Sequence, residues 1–215
     1  MIRSAQDERE RVVVEIRESS LAVVRLNRPA ERNALSIQML EALNKVFDEL
    51  IQQADITAII FTGTQDAFAS GANIRELACL TPATAKEFAM RGQRLFQKIA
   101  DAPQLTIAAI NGYYMGGGLD LALACDLRCA SRDAVFAHPG ARLGIITGWG
   151  GTQCLPRLVG AARALEIFTT AKRFTAGEAL SIGLVSGVGD PVLACAVKFA
   201  QTHEQRLQAH RTQDD

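Results

Sequence analysis

The chain has 215 residues, 48% of them hydrophobic and 21% charged, which is the balance of a globular protein with enough chain for a sizeable core. Its 23 Lys and Arg offset its 23 Asp and Glu, so no charge excess favours nucleic acid or an anionic membrane surface as partner. No apolar run approaches the ~18 residues of a spanning helix, and the opening MIRSAQDERERVVVEI lacks the apolar centre of a secretory leader.

In chain order, VVVEI at 12–16 and LAVVRL at 21–26 read as a β-hairpin turning at ESS. RPAERNAL is a loop. Ser36 is placed to cap a helix reaching Leu50, in which Met39, Leu40, Leu43, Val46, Phe47 and Leu50 keep helical spacing. ITAIIFTG at 56–63 is a short buried strand, QDAFASGANIREL a loop entering a helix, and Thr81-Pro82 opens a helix reaching about Ala100. LTIAAI at 105–110 is a second buried strand, followed by a glycine run and a helix over 117–125. DLRCAS is a strand and AVFAHPGARLGI holds another. GWGGTQCLPRLVG is a glycine-rich bend leading to a helix, ARALEIFTTA is helical, FTAGEALSIGLVSGV contains a short helix, and residues 191–207 form the last one, with a polar tail expected to fray. Strands alternating with helices imply a single α/β domain over residues 1–215 with mostly parallel pairing, without strict repeat or linker.

The five cysteines, Cys79, Cys125, Cys129, Cys154 and Cys195, are odd in number and fit no zinc or redox spacing. They read as reduced, buried, structural thiols of a cytoplasmic protein, with Cys125 and Cys129 placed to share a helix face.

The stretch NGYYMGGGLDLALACD at 111–126 carries the chemistry. A phosphate cradle needs a third glycine of G-x-G-x-x-G or a P-loop lysine, and both are missing. Two readings stay open: glycines that permit a tight strand-to-helix turn, or glycines that let an acyl oxygen approach the unpaired amides of a helix start. The second needs another donor, and SGAN at 70–73 follows the buried strand IIFTG in the same manner. Asp120 is then either a site acid or a first-turn acid that serves the helix dipole.

RPAERNAL, FASGANIREL, NGYYMGGGLDLALACD, FAHPGARLGI and GWGGTQCLPRLVG, in this order from about residue 12 to 200, resemble the crotonase (enoyl-CoA hydratase/isomerase) superfamily. The resemblance implies a spiral of ββα units, a trimer or a dimer of trimers, and an acyl-CoA thioester substrate, with no metal or other cofactor beyond the CoA that the substrate carries. It places the oxyanion-hole amides on Ala72 and Gly117, beside Gly116, and the CoA-contacting loops on Arg28, Ala34 and the stretch Ala72, Asn73, Ile74, Arg75.

Hydratases of this family use two glutamates. The first maps onto Asp120, one methylene shorter, and the second onto Gly140, which has no side chain. One acid/base group is therefore missing, and such a group contributes about 10²–10⁴ in rate. His138, two residues from Gly140, replaces it if the segment is extended; otherwise it is a paired loop histidine. Arg142 reads as a CoA-phosphate contact or a solvated side chain, and Trp149 as an acyl-pocket wall or core packing. Some dihydroxynaphthoyl-CoA synthases of the superfamily also carry glycine at the second acid position and hold bicarbonate there, so an open niche at Gly140 is expected to admit a small anion or a substrate carboxylate. Residues 160–207 correspond to a shortened C-terminal helical region. The function expected is enoyl-CoA hydration; the alternative is a catalytically silent acyl-CoA binder or assembly partner of another crotonase.

Overall fold

The computed structural model describes residues 10–18 and 20–211. Most of the charged opening segment, and the residues after Arg211, lie outside them. The hairpin forms as expected: β1 (Val12–Arg17) pairs antiparallel with β2 (Leu21–Leu26). From β2 the large sheet continues in parallel through β3 (Ala58–Thr62), β5 (Leu105–Ile110), β7 (Leu127–Ala130) and β10 (Gly187–Val188). A second sheet is built from β4 (Ala67–Ala69), β6 (Tyr113–Met115), β8 (Val135–Ala137) and β9 (Phe174–Thr175). The helices are α1 (Ile37–Ile51), α2 (Ile74–Ala78), α3 (Pro82–Ala100), α4 (Gly117–Ala124), α5 (Gly140–Leu143), α6 (Gly151–Val159), α7 (Ala161–Thr170), α8 (Ala176–Ser181) and α9 (Val192–Arg211).

Three times the chain runs a strand of the large sheet, a short strand of the small sheet, then a helix: β3–β4–α2, β5–β6–α4 and β7–β8–α5. This is the repeat that the sequence does not display, because it is one of topology and not of residues. Strands β4 and β6 correct the reading of QDAFASGANIREL as a loop entering a helix and of 111–116 as glycine-run approach. Each is only three residues long, too short for a period-2 signal to emerge.

The parallel strands are apolar on both faces because both are covered. Ile59 and Phe61 of β3 join the main core with Leu40, Leu43 and Phe47 of α1 and Leu95, Phe96 and Ile99 of α3. Ala58 and Ile60 face the other way, with Ile107, Ala109 and Cys129, onto Val192, Ala196 and Ala200 of α9. Helix starts follow their predicted chemistry: Ser36 Oγ accepts from the Met39 amide, and Thr81 and Thr84 form a reciprocal capping box before α3.

All five cysteines are free, but Cys79 is exposed and Cys154 and Cys195 are half-buried, so only Cys125 and Cys129 fit the expected burial. Nor do those two share a helix: Cys125 caps α4, whereas Cys129 lies in β7.

Candidate functional site

β4 and β6 are parallel neighbours, with Ala69 opposite Tyr114, so the turns leaving their C-terminal ends emerge side by side. The first is Ser70-Gly71-Ala72-Asn73 and the second is Gly116-Gly117-Gly118. Their glycines answer different needs. Gly116 has φ +51° with nothing near its missing side chain, so its role is the turn itself. Gly117 and Gly118 are there for close approach. A Cβ on Gly117 would stand 3.3 Å from the Ala72 nitrogen, and one on Gly118 would overlap the Ala69 carbonyl oxygen. Reciprocally, a Cβ on Gly71 would stand 3.1 Å from the Gly117 nitrogen and 2.6 Å from the Met115 carbonyl oxygen. The two turns therefore interlock, with the Ala72 and Gly117 nitrogens within about 6 Å of each other by bond geometry. That separation lets a single oxygen lie at hydrogen-bonding distance from both. Among the described residues neither amide donates to a backbone acceptor. Helix α4, buried from Gly118 to Ala124, directs the positive end of its dipole to the same point.

Asp120 lies one turn inside α4 and is 3% exposed. Thr147 Oγ1 donates to its Oδ2, while its Oδ1 has no hydrogen-bond partner. Gly151, the first residue of α6, makes room for this carboxyl, since a Cβ there would overlap Oδ1. Burial pushes the carboxyl from 3.8 up to about 7, with the Thr147 hydrogen bond pulling the other way. The group is thus poised to lose and regain a proton near neutrality.

The loop carrying Arg28 and Ala34 is docked on the first turn. Leu35 N donates to Gly71 O at 2.8 Å and Ser70 N to Arg32 O at 3.0 Å. Asn33, fully buried at φ +54°, staples this loop: its Nδ2 donates to Ala67 O at 2.8 Å, and its Oδ1 accepts from Arg28 N at 2.8 Å and Thr64 Oγ1 at 3.2 Å. Arg28 and Ala34 are half-buried there, Ile74 and Arg75 are exposed at the start of α2, and Asn73 uses its side-chain oxygen to cap that helix. Arg142 is exposed.

Around Gly140 the structure corrects two expectations. The segment is not extended, because α5 begins at Gly140 itself. The niche is not open either: a Cβ on Gly140 would stand 2.6 Å from the Ile145 carbonyl oxygen and 3.3 Å from His138 Nδ1, so the place of a second acid is already filled by backbone and by the imidazole. His138 is 3% exposed, its ring is edge-on to Phe168 at 4.9 Å, and its Nε2 has no partner. Burial lowers its pKa, so at neutral pH it is an uncharged imidazole.

Trp149, 5% exposed, lies beside Gly117 and packs on Phe88 and Phe96 with ring centroids 5.3 and 5.8 Å away. Thr147, Gly151, Asn33 and Gly92 escaped the sequence reading. Thr147 sits in a loop with no periodicity and Gly151 opens α6 directly after it, and the one available signal was the cluster of small residues around Trp149. Among the described residues no cluster of His, Cys, Asp and Glu is suited to a metal ion, and no helix is long and apolar enough to cross a membrane.

A sequence model of the family described as enoyl-CoA hydratase/isomerase matches residues 16–212. A short-chain-enoyl-CoA hydratase of Clostridium acetobutylicum is 39% identical over 176 residues, covering 81% of this chain and 67% of the relative. A crotonyl-CoA hydratase of Syntrophomonas wolfei is 39% identical over 183 residues, covering 85% of this chain and 70% of the relative. The crystal structure of an enoyl-CoA hydratase from Bacillus anthracis superposes with a TM-score of 0.85 at 34% identity, over 89% of this chain and 76% of that one.

Proposed function

The chain belongs to the enoyl-CoA hydratase/isomerase family, and on that premise we propose that it adds water across the α,β double bond of a small or medium enoyl-CoA, a lyase reaction run through a thioester enolate. The observation that carries this reading is the interlock of the Gly71-Ala72 and Gly116-Gly118 turns, with Asp120 one helical turn behind it. The thioester oxygen accepts hydrogen bonds from the Ala72 and Gly117 amides. Charge that develops on that oxygen meets fixed donors, each worth about 2.7–4 kcal/mol in the transition state.

With Gly140 in place of a second acid, Asp120 handles both proton transfers. Its ionised form takes a proton from water as the oxygen bonds to the β carbon. The same proton then passes to the α carbon as the enolate collapses, so the net change is H and OH added across one double bond. Thr147 holds Oδ2, which leaves Oδ1 as the atom through which the proton moves. His138, neutral beside Gly140, is a neighbour of the site in this reading and not its acid. Arg28, Ala34 and the Asn73-Ile74-Arg75 stretch border the CoA, and no cofactor is needed beyond it. A homo-oligomer, trimer or hexamer, belongs to the same reading, supported by exposed apolar side chains at Ile74, Ile146 and Leu165.

The test is hydration of crotonyl-CoA by wild type, Asp120→Asn and Asp120→Ala, with butyryl-CoA binding measured in parallel. Turnover that falls by about 10²–10⁴ in the variants while binding persists supports the reading. Equal background turnover in all three with binding retained turns it over in favour of a silent acyl-CoA binder.

A further inference from the structure

The indole of Trp149 occupies a slot made by two missing side chains. A Cβ on Gly92 would stand 2.5 Å from its Nε1 and 2.6 Å from its Cγ, and a Cβ on Gly117 would stand 2.6 Å from its Cε3. Gly92 is an interior residue of α3, where glycine is disfavoured, and it sits between Phe88 and Phe96 at i, i+4, i+8 on one helix face. The helix thus presents a phenylalanine–glycine–phenylalanine notch that fits one large flat side chain. The indole is fixed there: its Nε1 donates to Phe88 O at 3.3 Å, and Gln93 Nε2 donates to the neighbouring Gly148 O at 2.7 Å.

The far edge of the ring reaches the site. Cε3 and the Ala72 nitrogen both approach the same point beside Gly117, which sets them within about 6 Å of each other. Two residues further along, Gly151 lies against Asp120. An acyl group whose carbonyl oxygen rests on the two amides, and whose reacting carbons face Asp120, therefore has the indole edge as a neighbour.

We propose that Trp149, seated in the Gly92–Gly117 slot, sets the acyl length that this site accepts, restricting it to short enoyl chains of about four carbons. This inference rests on the hydratase reading above and names the substrate class for it. Replacing the indole by a methyl vacates a volume of the order of 150 Å³, enough for a benzene-sized group. A longer acyl chain is of that size. Phenylalanine at the same position would vacate only part of it.

The experiment compares kcat/KM for enoyl-CoAs of four, six, eight and ten carbons in wild type, Trp149→Phe and Trp149→Ala. Binding of butyryl-CoA and octanoyl-CoA, which do not react, is measured alongside by calorimetry. Wild type is expected to lose roughly tenfold or more in kcat/KM between four and eight carbons, since a misfitting methylene alone is worth about 10–200-fold in a tight pocket. The alanine variant is expected to flatten or invert that order and to bind octanoyl-CoA more tightly than wild type does, with phenylalanine intermediate. A wild-type profile that stays flat to ten carbons overturns the inference and leaves the hydratase reading intact. So does an alanine variant that folds and keeps the wild-type order. If the alanine variant does not fold, the wild-type profile and the phenylalanine variant still decide. Failure of wild type to bind either thioester removes the hydratase reading and this inference together.

Discussion

The carboxyl of Asp120 predicts how stability depends on pH. Its folded value is raised by burial from 3.8 to about 7, so across that window the native protein holds a proton that the unfolded chain has released. Unfolding then releases a proton, and stability falls as pH rises from about 4 to about 7, levelling off above. At 1.36 kcal/mol per pKa unit, the ionised carboxyl in its 3% exposed site costs the folded state about 4 kcal/mol at pH 8. Asp120→Asn removes the titration and keeps the shape. Urea unfolding of both proteins at half-unit pH steps is the assay, and the quantity to follow is the stability of the variant minus that of wild type. Other titrating groups cancel in this difference, and so does any fixed cost of an amide next to Gly151. The difference should climb by roughly 1.4 kcal/mol per pH unit between about pH 4 and pH 7 and be flat on either side. A difference that does not vary with pH would show that the carboxyl titrates normally, and the proton-transfer role assigned to it would go with it.

Removal of the Thr147 hydroxyl in Thr147→Val takes away the one interaction that lowers the Asp120 pKa, so the acid limb of the kcat/KM profile should move to higher pH; an unmoved limb refutes the pairing. Gly117→Ala pushes a methyl into the space between Trp149 and the Ala72 amide, and should cost kcat about 10²-fold or more at unchanged fold by circular dichroism. Activity near wild type would mean that the oxygen does not sit there. Gly140→Glu should lower the melting temperature without raising hydration, because its Cβ meets the Ile145 carbonyl oxygen at 2.6 Å. A faster enzyme of unchanged melting temperature would show that the niche opens to a second acid after all.

The elements that were legible in the sequence are those with a strong local cause. Helix α1 has an apolar stripe and a serine cap, α3 a threonine-proline start, and β3 and β5 are apolar but for Thr62 and Thr106 because both faces are covered. What escaped was set by distant partners. β4 and β6 are strands only because they pair with each other and β6 with β8, and Asn33 and Gly92 carry no periodic signal, since each answers to a group far along the chain. The same holds in the site. Asp120 stood out as a lone acid in an apolar helix, whereas the filled niche at Gly140 depends on how the chain returns at Ile145, which no local pattern encodes.

The missing second acid and the raised pKa of the first belong together. Where two carboxyls share the work, one can remain a base and the other an acid, and each is free to have a pKa far from that of its partner. A single carboxyl must take a proton and return it within one turnover, so a value well below neutrality would make it a weak base toward water and one well above would leave it protonated before the reaction starts. A pKa of about 7 is the compromise that serves both directions near neutral pH. The fold reaches it by leaving side chains out: Gly151 admits the carboxyl to a buried position, and Thr147 satisfies one oxygen without ionising the group fully. Any change that rehydrates Asp120 should therefore lower its pKa and weaken it as the base that takes the proton from water, even with the carboxyl and both amides in place.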